Sequence, residues 1–185
     1  MQLTLTLKNE RMLRVKTVFL LRHDKSRWDQ PSLDDYDRPL APRGKKAAPR
    51  VGRYLAREGL IPDRVLCSGA RRAMQTWNLV SEELPSDIHM EVRDEIYHAS
   101  PGNLMELIRA LPDNEHSVLL VGHNPSFESL ALQATRSGDD EALRALAFKY
   151  PTGALAILDF DASGWAEVGW GTGHLRAFIR PKTLE

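Results

Sequence analysis

The strongest constraint on the fold is the run Val18-Phe19-Leu20-Leu21, which ends abruptly in Arg22-His23. A short apolar stretch without polar alternation reads as a strand buried on both faces, and such strands belong to parallel or mixed sheets. Sheets of this kind bind ligands beyond the carboxyl ends of their strands. Arg22 and His23 are therefore expected together at a binding edge. One is a guanidinium charged at any working pH, and the other an imidazole that can be neutral and nucleophilic near neutrality. That pairing suits phosphoryl chemistry.

The same design recurs along the chain. Residues 117–121 form a second apolar run, stopped by Gly122-His123-Asn124-Pro125, and residues 63–67 form a shorter one that leads into Ser68 and Arg71-Arg72. Helical spacing of Ala47, Ala48, Val51, Tyr54 and Leu55 predicts a helix over 44–58, closed by Gly59, with Pro49 a point where it should kink. Ala73, Trp77, Val80 and Leu84 mark a helix over 70–84, with Trp77 on its core face. Leu104, Leu107, Ile108 and Leu111 mark another, and Phe127, Leu130, Ala131 and Ala134 a third. Residues 88–92 read as a further strand leading into a loop over 93–100. Alternating strands and helices predict a three-layer α/β/α sandwich around a mostly parallel sheet. Residues 154–160 and 167–170, separated by Asp161-Ala162-Ser163-Gly164, predict a late hairpin that makes the sheet mixed. Residues 137–141 read as an exposed turn, and the Asp-, Pro- and Ser-rich stretch 26–43 as an irregular flank or lid beside the site.

Length and charge narrow the partners. A chain of 185 residues suits one domain, expected over 15–185 after an N-terminal extension at 1–14. Lys plus Arg and Asp plus Glu balance at 25 each, so no overall field draws nucleic acid or an anionic membrane, and any anion site must be local. No apolar run reaches the roughly 20 residues that cross a bilayer, and residues 1–14 lack the apolar segment of a secretory signal. The lone Cys67, flanked by Val65 and Leu66, forms no internal disulfide and reads as an inert core thiol in a cytoplasmic protein. No Cys/His cluster has zinc spacing, and no carboxylate-rich motif invites magnesium, so neither metal nor cofactor is expected. A nucleotide-binding regulator is disfavoured, since no Gly-rich phosphate loop follows the first strand.

Three strand ends thus deliver Arg22-His23, Ser68 with Arg71-Arg72, and Gly122-His123-Asn124 to one sheet edge. Two imidazoles among guanidinium groups make a seat for a phosphoryl dianion, whose oxygens each guanidinium can grip in pairs.

In these elements the chain resembles the histidine phosphatase superfamily, and most of all its SixA-type phosphohistidine phosphatases. Leu21-Arg22-His23 is similar to the Arg-His signature, and Arg38-Pro39-Leu40 with Gly44 to the Arg-Pro-Leu element. The stretch Cys67-Ser68-Gly69-Ala70-Arg71-Arg72-Ala73-Met74-Gln75-Thr76 resembles the Arg-Ala-x-Gln-Thr element, and Val121-Gly122-His123-Asn124-Pro125 completes the set in the family's order. The resemblance implies a phosphoglycerate mutase-like fold and a metal-independent phosphatase, with His23 as the nucleophile that becomes phosphorylated. It also implies that Arg22, Arg72 and His123 hold the phosphoryl oxygens; a second imidazole that stays protonated can donate to one of them, and which of the two histidines holds the proton is a coupled question. Arg38 is a further clamp by its match, and Arg71 an exposed helix residue. Two departures stand out: Asp24 where the family has glycine after Arg-His, and Gly69 where it has proline after the serine. Asp24 can orient His23, cap a helix or face solvent.

The general acid is expected among Asp94, Glu95 and His98, with Glu95 first. Ser26 and Lys25 are placed to donate to a phosphate. Asn124 either caps the helix behind it or touches ligand. His89, His116 and His174 lie outside the motif junctions and read as structural or surface residues, Lys45-Lys46 as a solvated helix start, and Trp28 as packing. The expected substrate is phosphohistidine on a protein, because little sequence follows the third strand from which an enclosing cap could be built. The alternatives are a phosphatase of a small phosphorylated metabolite and a non-catalytic phosphate-binding module.

Overall fold

The computed structural model describes residues 15–27, 32–85 and 87–184. The extension at 1–14 and Trp28 lie outside the described residues. Seven strands form one sheet in the order β3-β2-β4-β1-β6-β7-β5: β1 (Val15–Arg22), β2 (Arg64–Cys67), β3 (His89–Val92), β4 (Ser117–Gly122), β5 (Thr135–Gly138), β6 (Leu155–Asp161) and β7 (Gly173–Ile179). Strands β1 to β4 are mutually parallel where they pair, whereas β6 runs against both of its neighbours, β1 and β7. The sheet is mixed, as the sequence implied.

Among the described residues, five helices cover it: α1 (Pro42–Arg57), α2 (Arg71–Ser81), α3 (Pro101–Arg109), α4 (Ser126–Ala134) and α5 (Asp140–Phe148). Along β1 the side chains divide by parity, because successive residues of a strand point to opposite faces. Phe19 and Leu21 pack with Ala48, Val51 and Leu55 of α1 and Ala73, Trp77 and Val80 of α2. Val18 and Leu20 pack with Leu104 and Ile108 of α3, Phe127 and Leu130 of α4, and Leu146 of α5. Both faces of the central strands are therefore dry, and each buried Leu contributes roughly 1.5–3 kcal/mol. This two-sided burial forbids polar alternation in the core strands and produces the apolar runs.

Helix α1 runs unbroken through Pro49. The ring deletes one donor, and the acceptor it would have met is the carbonyl of Lys45, an exposed residue of the first turn. Two expectations fail in the last third of the chain. Residues 167–170 do not form a strand: 165–167 make a 3-10 turn, and Trp165 and Val168 are drawn wholly into the core. The hairpin partner of β6 is β7. The segment read as an exposed turn holds edge strand β5, paired with β7, followed by Asp139, whose carboxylate accepts from the amides of Glu141 and Ala142 and caps α5. Neither β5 nor α5 was expected. Thr135-Arg136-Ser137-Gly138 has no apolar period and becomes a strand only through a partner that is distant in sequence.

Candidate active site

Sheet register builds the site. Arg22 lies level with Gly122, and Leu21 and Cys67 with Val121, so the next residue of each strand, His23, His123 and Ser68, leaves the sheet at one place. The ladder continues past the strand ends through His23 N–H to Gly122 O at 2.9 Å and Ser68 N–H to Val121 O at 2.9 Å. Gly122 is required here: a Cβ would meet the Phe127 ring at 2.6 Å and Ile96 at 2.8 Å. The two imidazoles stand with centroids 5.0 Å apart, each only 7% exposed.

His23 is held in one tautomer. Its Nδ1 lies 2.7 Å from the carbonyl oxygen of Asp24, which can only accept, so Nδ1 carries the proton and Nε2 presents a lone pair. Toward that lone pair Arg72 Nε–H points at 3.2 Å. Burial, reinforced by Arg72, Arg22 and Arg38, pushes His23 down to about 3, so the ring is a neutral base throughout the physiological range. Asp24 thus orients His23 through its backbone carbonyl, and its carboxyl makes other contacts. It is buried, accepts from Lys25 N at 2.6 Å through Oδ1, and has no partner for Oδ2; burial raises it to about 6.

His123 Nε2 lies 2.9 Å from Ser68 Oγ, and Nδ1 has no partner. Burial, then His23 and Arg72, push His123 down to about 2. With these neighbours the ring is neutral. An arriving dianion is the opposite charge that raises it.

Helix α2 supplies the rest of the frame. Thr76 Oγ1 accepts from Asp24 N at 3.0 Å, and Gln75 Oε1 accepts from Leu40 N at 2.8 Å, so the Gln-Thr pair anchors both the nucleophile loop and the flank. Arg72 is 5% exposed and donates both terminal nitrogens to Asp35, one to its carbonyl and one to its carboxylate at 2.8 Å. The same carboxylate accepts from Tyr97 Oη at 2.6 Å and pairs with Arg38 at 3.2 Å. Burial pushes Asp35 up, but the Tyr97 hydroxyl, then Arg72 and Arg38, hold it below the usual carboxylate range. Ser26 accepts from Arg38 Nη2 at 3.1 Å, which makes it a support for that guanidinium.

Arg22 reaches back to the Tyr150 carbonyl at 2.6 Å and leaves Nε without a partner. Asn124 donates to Glu128 at 2.8 Å and to the same Tyr150 carbonyl at 3.3 Å, with Oδ1 unpartnered. It does not cap α4, whose N-cap is Pro125. Buried polar atoms without partners are rare in folded proteins. Here Arg22 Nε, His123 Nδ1 and Asn124 Oδ1 gather around one strand edge.

The structure brings His23, Arg22, Arg72, His123, Arg38, Ser26 and Asn124 into this neighbourhood and leaves Glu95 out. Glu95 is exposed, and the hydrogen bond from Arg93 holds its carboxyl low and ionised, the wrong state for a general acid. Lys25 is exposed as well. Reasoning from sequence did not single out Asp35, Tyr97 or Tyr150. Tyr97 packs edge-on against His123 at 5.3 Å, and Arg72 lies over its ring at 5.6 Å. Gly69 has a local cause: a Cβ would stand 2.1 Å from Asp94 Oδ1 and Tyr36 Oη, which are themselves hydrogen-bonded. Among the described residues, no group of three or more His, Cys, Asp or Glu side chains is placed to hold a metal.

The class follows from this geometry and from similarity. The profile of the histidine phosphatase superfamily (branch 1) matches residues 18–108, and an uncharacterized protein of Mycobacterium tuberculosis is 37% identical over 88% of this chain and 100% of its own. The chain belongs to the histidine phosphatase superfamily. Within it, the structure is similar to SixA: the protein histidine phosphatase SixA complexed with tungstate superposes with a TM-score of 0.72 at 26% identity, covering 91% of this chain and 99% of that one. The SixA-like protein of Agrobacterium tumefaciens superposes with a TM-score of 0.74 at 33% identity, covering 90% and 98%.

Proposed function

We propose that this protein removes the phosphoryl group from phosphohistidine on a protein, by way of a phosphorylated His23. The observation that carries the reading is the pinned tautomer of His23, whose Nδ1 faces the Asp24 carbonyl so that an unprotonated Nε2 is presented beside Arg72. Nε2 attacks phosphorus, the bond to the leaving nitrogen breaks, and water later releases phosphate from His23. Arg22, Arg72, Arg38 and His123 spread the charge of the transferring group. A phosphoramidate nitrogen leaves readily once protonated, so the reading needs no strong enzyme acid in place of Glu95.

The leaving side supports this substrate class. A groove of about 390 Å³ adjoins His123 and is lined by Tyr97, His98, Ser100, Asn124, Ser126 and their neighbours, with no Lys or Arg among the described lining residues to recognise a carboxylate or second phosphate. The relatives named SixA act, by that name, on protein phosphohistidine, and the cytoplasmic setting expected from cysteine usage fits such a partner. The test is brief exposure to a phosphohistidine peptide, a sugar phosphate and an aryl phosphate, followed by quenching in base and assay for acid-labile phosphate on the protein. The peptide should give the highest kcat/KM, and His23→Ala should carry no label. Equal labelling of His23→Ala, or preference for the sugar phosphate, defeats the reading.

A further inference from the structure

Helix α1 carries Arg43, Lys46, Arg50, Arg53 and Arg57 at spacings of three and four, with Lys45 alongside and no acidic residue anywhere in its sequence. That spacing lines these cations along one exposed face, opposite the buried Gly44, Ala48, Val51, Gly52 and Leu55. From Arg43 to Arg57 the stripe is about 21 Å long at 1.5 Å per residue.

The arrangement breaks two local rules. Like charges three or four apart on a helix repel. Cations in the first turn also oppose the positive end of the helix dipole, where α1 has none of the usual acidic residues. The chain is electrically balanced overall, so acidic residues are available and are used elsewhere, as in the Arg64–Glu115 and Arg176–Asp159 pairs. Departures from local consistency concentrate where function requires them.

Position adds a second argument. The first turn of α1 packs on the nucleophile loop: Ala41 N–H donates to Lys25 O at 2.8 Å, and a Cβ on Gly44 would touch that same oxygen. The stripe therefore starts at the rim of the active site. It ends in a groove of about 360 Å³ lined by Arg50, Arg53, Arg57, Tyr54, Glu83 and Leu184. Two of these cations have exposed partners, Arg53 with Glu83 at 2.7 Å and Arg57 with Glu58 at 3.0 Å, and such pairs exchange readily for an incoming anion.

We infer that the exposed face of α1 is a docking surface for an acidic segment of the phosphoprotein substrate, held while the phosphorylated side chain enters beside His23. This rests on the proposed protein substrate. The surface would raise encounter rate and lower KM without touching the chemical step.

The probe is a peptide carrying one phosphohistidine and, about seven residues away, a run of six glutamates, compared with the same peptide carrying glutamines. Seven extended residues span the stripe. The Glu peptide should have a KM about tenfold lower at low salt, and the advantage should vanish in ~0.5 M salt, where the screening length falls well below 10 Å. The triple variant R50Q/R53Q/R57Q should lose it too, with kcat on both peptides and turnover of phosphoramidate unchanged. Lys45→Gln with Lys46→Gln, farther from the core, should give a smaller loss in the same direction. Fluorescence anisotropy of the unphosphorylated Glu peptide separates the two ideas. If the peptide binds the parent and not the triple variant, yet its phosphorylated form is not hydrolysed, the substrate reading falls and the docking surface stands. If both peptides are hydrolysed with equal KM, or a single-stranded oligonucleotide binds the stripe more tightly than the Glu peptide, the docking inference is overturned.

Discussion

Asp35 holds both terminal nitrogens of Arg72, with its carboxylate on Nη2 at 2.8 Å and its carbonyl on Nη1. In the proposed mechanism those same nitrogens grip the phosphoryl group, and the Tyr97 hydroxyl and Arg38 are tied to the same carboxylate. An arriving anion and Asp35 therefore compete for one set of donors. A charge-assisted bond is worth about 1.5–3 kcal/mol when buried, and the Asp35 side chain is 52% exposed, so screening leaves about 1 kcal/mol. Asp35→Ala should tighten inhibition by phosphate or tungstate about fivefold, measured as Ki against a small phosphoramidate. Weaker inhibition would mean that Asp35 steadies Arg72 for the anion and does not contend with it.

The acid limb of kcat/KM for phosphoenzyme formation reports the nucleophile. As the proposed nucleophile, His23 must be unprotonated to attack, and burial pushes it down to about 3 from the ordinary 6.5. Activity should persist unchanged from pH 7 to pH 5 and fall only as the pH approaches 4. A midpoint near 6.5 would show that the imidazole is far more solvated than its burial implies.

Asp24 gives a pH signature in stability. Its carboxyl is raised to about 6 in the fold against 3.8 unfolded, so the folded state holds a proton between those values. The stability tied to that proton is full below 3.8 and lost as the pH rises through 6. At 1.36 kcal/mol per pKa unit the loss is on the order of 3 kcal/mol. Asp24→Asn, which keeps an acceptor for Lys25 N and cannot ionise, should melt several degrees higher than the parent at pH 8. The difference should shrink toward pH 4, followed by circular dichroism. A constant difference across that range would assign it to packing.

Glu95→Gln should keep kcat and kcat/KM within about twofold of the parent on a phosphohistidine peptide, because exposed pairs such as Arg93–Glu95 contribute roughly 0–1 kcal/mol. A hundredfold loss of kcat would restore Glu95 as the proton donor and require a rearranged loop.

Tyr150 ties the site to the core. Its hydroxyl donates to Leu20 O at 2.5 Å and accepts from Ala156 N at 3.2 Å, while its carbonyl takes Arg22 and Asn124. Tyr150→Phe strands two buried backbone groups and should cost about 1–3 kcal/mol in urea unfolding. Since the carbonyl remains, kcat should hold within a factor of a few. A large loss of kcat at unchanged stability would show that the hydroxyl, and not the backbone, positions Arg22.

The sequence by itself determined the central strands and the side chains they deliver to one edge. Residues 18–21 and 117–121 are apolar on both parities because both faces of the sheet are covered, and a strand that must end in Arg22-His23 or Gly122-His123 declares its ligand edge. Motif order then named His23, Arg72 and His123. Tertiary structure alone decided what surrounds them. Asp35 meets Arg72 across 37 residues, Tyr150 meets Arg22 across 128, and Ser68 meets His123 across 55; none of these pairs leaves a local period to read. Glu95 lies exposed, where Arg93, two residues away, donates to it at 2.8 Å. Strand β5 failed because its pairing comes from β7, not from its own residues. Burial patterns are written locally, since each residue answers to the face it occupies. Polar partners are chosen by the way the chain returns on itself, and only the folded chain records that choice.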